Sequence, residues 1–273
     1  MAPAAISEQS LRLIKKPLPT LNRGPQSTTS SALHQTFFVG TLEEWPNFER
    51  DARATVKATV PARNTPVISF ATRLKPTPAT IDREHVAVGQ ESGVQGRVQQ
   101  NVGQVMSAMC KALQIDMCFA DYKATNLPRI GRKNPDLVCM TIVCNLRIVG
   151  EIKVPWVDDH DIDRTLEDGF PRKISQLFGQ IAQYMRLTNL RYGFLSTYEQ
   201  TVFFRQIVSN GRWVLQYSDP IKGSTKYEEV LDGNYEDRVT VRECFLHLIR
   251  LAEIHHVGGN TLPMTQWVKN TPY

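Results

Sequence analysis

No stretch of the 273-residue sequence contains about 18 consecutive apolar residues, which argues against a membrane-spanning helix. Cysteine is scarce: Cys110, Cys118, Cys139, Cys144 and Cys244 are an odd number, and no pair has zinc-ligand spacing. That argues against a disulfide framework or a zinc knuckle and for reduced thiols in a core. The first ten residues lack the apolar centre of a secretory signal, so the expected location is intracellular, nuclear or cytoplasmic, with no membrane partner. Internal repeats are also missing. What remains is an apolar content of 41% and a charged content of 22%, the balance of a folded globular chain.

Charge is unevenly spread. Residues 1–135 carry 17 Lys and Arg against 10 Asp and Glu, a formal +7, whereas residues 136–273 carry 15 against 17. A basic half permits a polyanionic partner held through phosphate contacts.

Residues 1–35 are rich in Ser, Thr, Pro and Gln and show no sustained period, so a disordered N-terminal tail is expected, followed by one domain over 36–273. Thr41 and Glu44 have the spacing of a capping box and predict a helix start. A strand is expected over 65–71 and a proline-rich linker over 73–80. Val94, Val98, Val102, Val105, Met109 and Leu113 step by three and four, the stripe of an amphipathic helix with Glu91 at its start. Another strand is expected over 115–122. A second stripe, Ile174, Leu177, Phe178, Ile181, Met185 and Thr188, predicts a second helix. Strands follow over 191–196, 201–208 and 213–217, the last two turning at Asn210 and Gly211. Thr240 and Glu243 cap a last helix expected to reach His256. The order is α/β, built around a central mixed sheet flanked by helices.

The most informative stretch runs from Asn134 to Trp156. It reads as a hairpin of two apolar strands, 137–143 and 146–153, covered on both faces and turning near Cys144 and Asn145. Three charges stand at its ends: Asp136 at the entrance, Glu151 and Lys153 at the exit. Glu151 and Lys153 share a face because side chains alternate along a strand. A two-residue turn pairs Asp136 with Lys153 and puts Asp136 diagonal to Glu151; an odd-length loop or a bulge would each break that parity. Two converging carboxylates repel unless a proton or a cation sits between them. Mg²⁺ or Mn²⁺ with a substrate phosphate suits such a pair, and Lys153 suits developing negative charge. Glu-x-Lys alone arises by chance about once in a chain of this length, so the tripeptide by itself carries no weight.

The wider pattern does. Pro135-Asp136, then Glu151-Ile152-Lys153, then Gln180 and Tyr184 on the next helix, resembles the PD-(D/E)XK (restriction-endonuclease-like) nuclease superfamily, with a fainter likeness to fungal members after Ser196. The resemblance covers roughly residues 84–197 and implies an αβββαβ core and hydrolysis of phosphodiester bonds, in DNA in preference to RNA. It implies that Asp136, Glu151 and the Ile152 carbonyl bind Mg²⁺ or Mn²⁺, with Lys153 catalytic and Glu91, or else Glu84, completing the site. Gln180 and Tyr184 would face the nucleic-acid backbone, and Arg129, Arg132 and Lys133 are candidate phosphate anchors. The same fold without catalysis, binding nucleic acid or a protein, is the alternative. Asp159, Asp161 and Asp163 mimic a calcium loop but lack its glycine and its bidentate Glu, so a solvated loop is expected. Cys139 and Cys144 read as core residues, and His255 and His256 as the last turn of a helix.

Overall fold

The structure, a computed structural model, describes residues 5–29, 33, 35–60, 65–71, 84–127, 130, 134–225 and 238–270. Its centre is an eight-stranded mixed sheet. From one edge the strands are Thr41–Glu44, Arg212–Tyr217, Gln200–Ser209, Tyr192–Ser196, Leu146–Ile152, Leu137–Met140 and Cys118–Ala120, with Ile221–Lys222 beside Gln200–Ser209. Two neighbouring pairs are parallel, Leu146–Ile152 with Tyr192–Ser196 and Thr41–Glu44 with Arg212–Tyr217; the rest are antiparallel.

Helices cover both faces, which is why the hairpin strands are apolar over most of their length. Ile148, Ile152 and Phe194 face one hydrophobic cluster, with Phe48, Val94, Met109 and Phe245 from the helices above. Val138, Val149 and Leu195 face the other, with Leu177, Phe178 and Ile181. The two amphipathic stripes therefore lie on opposite sides of the sheet. The first helix runs Glu91–Val98, turns π-helical over Gln99–Gln104 and resumes over Val105–Ala112. The second runs Pro171–Leu187. Between helix and helix come the three strands Cys118–Ala120, Leu137–Met140 and Leu146–Ile152, and after the second helix Tyr192–Ser196.

Several local expectations hold. Asn210 and Gly211 both take positive φ, as a tight hairpin turn requires, and Thr240 closes a full capping box with Glu243. Others change. Thr41–Glu44 is an edge strand, not a helix start: pairing with Val214–Tyr217 outweighs a capping signal, and Pro46 delays the helix to Phe48–Thr59. The expected strand over 115–122 shrinks to Cys118–Ala120. The last helix ends at Ile254, because His255 is already extended at φ −153°.

The largest correction concerns the expected N-terminal tail. Ala5–Gln9 pairs with Pro66–Ala71, and the helix Ser10–Ile14 follows. Leu13, Ile14 and Leu18 are buried, and their segment accepts hydrogen bonds from the core: Arg242 to the Leu13 carbonyl, Thr240 to Ile14 and Tyr198 to Pro19. Composition marks a segment that cannot fold alone; here the rest of the domain supplies the apolar partner. The linker expected over 73–80 lies outside the described residues.

Candidate active site

The hairpin strands are shorter than expected, Leu137–Met140 and Leu146–Ile152, and their register differs. Five residues, not two, connect them, since Met140 pairs with Leu146; a bulge at Arg147 then shifts the register, so Leu137 faces Gly150. An odd loop and a one-residue bulge each reverse the parity, and together they restore it. Asp136 thus comes opposite Glu151 rather than Lys153, still on the face the charges share. The Asp136 amide donates to the Gly150 carbonyl at 3.1 Å, and Asp136 Oδ2 accepts from the Ile152 amide at 2.9 Å.

Glu151 and Lys153 sit at the exit end of their strand, each 2% exposed, with Lys153 Nζ 2.5 Å from Glu151 Oε1. The first turn of the Glu91–Val98 helix crosses that end. It brings Glu91 Oε2 to 3.5 Å from Lys153 Nζ, and Gln95 donates to the Asp136 carbonyl at 2.5 Å. Of the two acids considered for the helix position, Glu91 occupies it. Glu84 precedes the helix, and its carboxylate is taken by Arg97 and Asn101.

The site holds on to protons. Burial, then the neighbouring Asp136, pushes the Glu151 carboxyl well above its ordinary value despite Lys153. Glu91 moves up for the same reasons, burial first. Burial alone would lower Lys153, but Glu151, Glu91 and Asp136 together raise it. Glu151, Glu91 and Lys153 shift toward the protonated form together, the acids chiefly through burial and the lysine through the carboxylates around it.

Gln180 and Tyr184 come to the same place, although buried rather than presented to solvent. Gln180 Nε2 donates to Tyr184 Oη at 2.8 Å, and that hydroxyl donates to the Asn134 carbonyl at 3.1 Å, two residues before Asp136. Burial raises the Tyr184 hydroxyl, helped by Glu151 and Asp136. Arg129, Arg132 and Lys133 lie outside the described residues. His255 and His256 are remote from this end, at the bridge joining Leu190 to Val257. Asp161 caps the helix Ile162–Asp168 and Asp163 pairs with Lys222, which accounts for the acidic loop. Cys110, Cys139 and Cys244 are buried thiols, and Cys118 and Cys144 are half-buried.

One residue escaped the sequence reading. His160 is fully buried, and its Nδ1 lies 2.9 Å from the Val154 carbonyl. A carbonyl only accepts, so the proton is on Nδ1 and Nε2 offers a lone pair. Burial keeps the ring neutral, with Lys153 nearby adding to the effect. Its only sequence signal was a lone histidine in an acidic loop, seven residues past Lys153.

Among the described residues, five buried acceptor atoms around the hairpin's entrance and exit have no hydrogen-bond partner: Glu91 Oε2, whose contact with Lys153 is an ion pair at 3.5 Å, Asn134 Oδ1, Glu151 Oε2, His160 Nε2 and Gln180 Oε1. No protein-family model, curated protein or solved structure matches the chain. The chemistry is therefore read from the site alone. Four of the five acceptors are hard oxygens, two from carboxyl groups and two from amides, the donor type that a divalent cation such as Mg²⁺ or Mn²⁺ takes; the fifth is an imidazole nitrogen. Among the described residues no three acids, histidines or cysteines converge closely enough to chelate an ion as they stand.

Proposed function

We propose that the protein is a metal-dependent nuclease of the PD-(D/E)XK type that hydrolyses phosphodiester bonds, in DNA in preference to RNA. The observation that carries this reading is the cluster of buried acceptors, without a hydrogen bond among the described residues, around Glu151, Glu91 and Lys153. The order helix, three strands, helix, strand supports it, as does the placing of Gln180 and Tyr184 beside the hairpin.

In this reading Asp136, Glu151 and Glu91, with the Ile152 carbonyl, would hold Mg²⁺ or Mn²⁺. Such a cation, when bound, neutralises the carboxylates, lowers the pKa of a bound water and offsets charge on a phosphoryl oxygen. The residues do the rest. Lys153, kept protonated by its three acids, stabilises negative charge developing on the phosphate oxygens. The hydrogen bond from the Ile152 amide fixes Asp136 in its orientation. His160 Nε2 would accept a hydrogen bond from a water entering the site, and Tyr184 steadies the chain entering Asp136.

The alternative, a nuclease-like module that binds nucleic acid or protein without cutting, is favoured by the close Glu151–Lys153 ion pair, which engages both groups with each other. Incubating plasmid DNA and RNA with the protein in Mg²⁺, Mn²⁺ or EDTA separates the two. Cleavage should require metal, and Asp136→Ala, Glu151→Ala and Lys153→Ala should each cost orders of magnitude without adding up. Full cleavage by the Asp136→Ala and Glu151→Ala proteins would overturn the reading, and salt-dependent binding without cleavage selects the alternative.

A further inference from the structure

The π-helical turn Gln99–Gln104 lies inside an otherwise regular helix. Such a turn closes i→i+5 instead of i→i+4, so Gln104 comes back over Gln99 and Gln100 rather than drifting around the axis. Turns of this kind are rare and are frequently found at functional sites. Here Gln99, Gln100 and Gln104 line one cavity of about 510 Å³. Gln99 Oε1 is buried with no hydrogen-bond partner among the described residues, in room left by the missing side chain of Gly103. The amides of Gln100 and Gln104 are exposed, and no hydrogen bond among the described residues engages them.

The N-terminal segment and the strand Pro66–Ala71 give the cavity apolar lining, Leu13, Pro19 and Ile68, with Val105 from the helix itself. Arg242 also lines it, 5% exposed, its guanidinium donating to the Asn101 carbonyl at 2.8 Å and the Leu13 carbonyl at 2.9 Å. No carboxylate among the described residues lines the cavity. A cationic ligand is disfavoured beside a buried guanidinium, and a purely apolar one would leave the amides unsatisfied. A flat ring with donors and acceptors along one edge meets both kinds of lining, since a primary amide offers one donor face and one acceptor face. The volume falls in the range of about 300–1,000 Å³ usual for ligand sites.

We propose that this cavity binds a nucleobase, recognised along its edge by Gln99, Gln100 and Gln104 and covered by the N-terminal segment. The inference rests on the nuclease reading for its substrate class. Glu91 and Gln100 stand on the same helix, separated by about 13 Å along its axis, so a strand held at the hairpin could place a base here. A free nucleotide has the same chemistry, and the test distinguishes the two sources.

The full-length protein in EDTA, so that no strand is cut, is titrated into a single-stranded oligonucleotide carrying 2-aminopurine. Binding of AMP, GMP, CMP and TMP is measured separately by calorimetry. A base leaving its stack for the cavity should raise 2-aminopurine fluorescence several-fold. The double variant Gln100→Leu/Gln104→Leu should weaken that response at least tenfold while melting at the wild-type temperature, because both side chains are exposed. Gln104→Glu, which removes a donor but not the polarity, gives a second variant should the double one fail to fold. Nucleotide binding that the variants weaken assigns the cavity to free nucleotides; a fluorescence response alone assigns it to a base turned out of a strand. Neither response in wild type, or responses that both variants leave unchanged, would overturn the proposal. Cleavage assays keep the two readings apart. Cutting without base binding removes only the cavity assignment, and base binding without cutting removes only the nuclease.

Discussion

Glu151 is closed off from water between an ammonium and another carboxylate, and burial pushes its carboxyl well above the ordinary 4.5. A carboxyl that binds its proton more tightly folded than unfolded contributes stability that is fully present below the unfolded value. That contribution is lost as pH rises from about 4.5 toward the raised value. Metal-free wild type should therefore lose stability relative to Glu151→Gln as pH climbs above about 4.5, since glutamine keeps the shape without the titration. Thermal melts of both proteins in EDTA across that range check this; parallel curves would mean that Glu151 carries no such cost. Adding Mn²⁺ or Mg²⁺ should invert the ranking. A ligand at about 100 times its dissociation constant adds roughly 2.7 kcal/mol to the folded state. For a domain of this size that is several degrees, at about 2–4 °C per kcal/mol. Glu151→Gln should lose most of the shift; equal shifts in the two proteins would place the cation elsewhere.

At the scale of elements, the strand Leu146–Ile152 carries the site and depends on a glycine in its interior. Gly weakens a strand unless something must come close. Here the Phe194 ring from the neighbouring strand lies where a Cβ on Gly150 would be, at 2.0 Å, and is held from above by Phe245 edge to face at 4.9 Å. Gly150→Ala should cost about 1–3 kcal/mol or more by overpacking. It should also reduce activity, because Asp136, Glu151 and Lys153 hang on the same backbone. Phe194→Leu makes room, so Gly150→Ala/Phe194→Leu should cost less than the two single changes added together. Urea unfolding of all four proteins measures the coupling, and strict additivity would show that the ring does not enforce the glycine. The capping box shows how far an element can be read locally. Thr240 and Glu243 form one in front of an apolar stripe, whereas Thr41 and Glu44 share the spacing but join the sheet edge.

For the whole molecule, the N-terminal segment is part of the fold. Leu13, Ile14 and Leu18 each contribute about 1.5–3 kcal/mol by burial. Removing their segment also strips partners from Arg242, Thr240 and Tyr198, three donors inside the core, at about 1–3 kcal/mol for each left unsatisfied. Together these approach the typical total of about 5–15 kcal/mol for a domain. A chain starting at residue 22 should unfold at a much lower urea concentration than wild type, or fail to fold cooperatively. An unchanged midpoint would restore the segment to the status of a tail.

What the sequence by itself determined is what lies within one local window. The stripes of both long helices, the turn at Asn210 and Gly211, the cap at Thr240 and the apolar strands of the hairpin all repeat at the period of their own element. The shared face of Glu151 and Lys153 belongs here too, because it depends only on alternation along one strand; that Asp136 joins them was expected from a two-residue turn. Even this survived through the cancellation of an odd loop by the bulge at Arg147, which no count from the sequence foresaw. Only the tertiary structure decided that Thr41–Glu44 pairs as a strand, that Glu91 rather than Glu84 reaches Lys153, and that His160 turns a bare nitrogen inward beside the site. It also decided that a polar, proline-containing N-terminus packs onto the core. The physical reason is one of size: a cap or a turn is worth about 1 kcal/mol, while burying a few side chains against a distant surface is worth several.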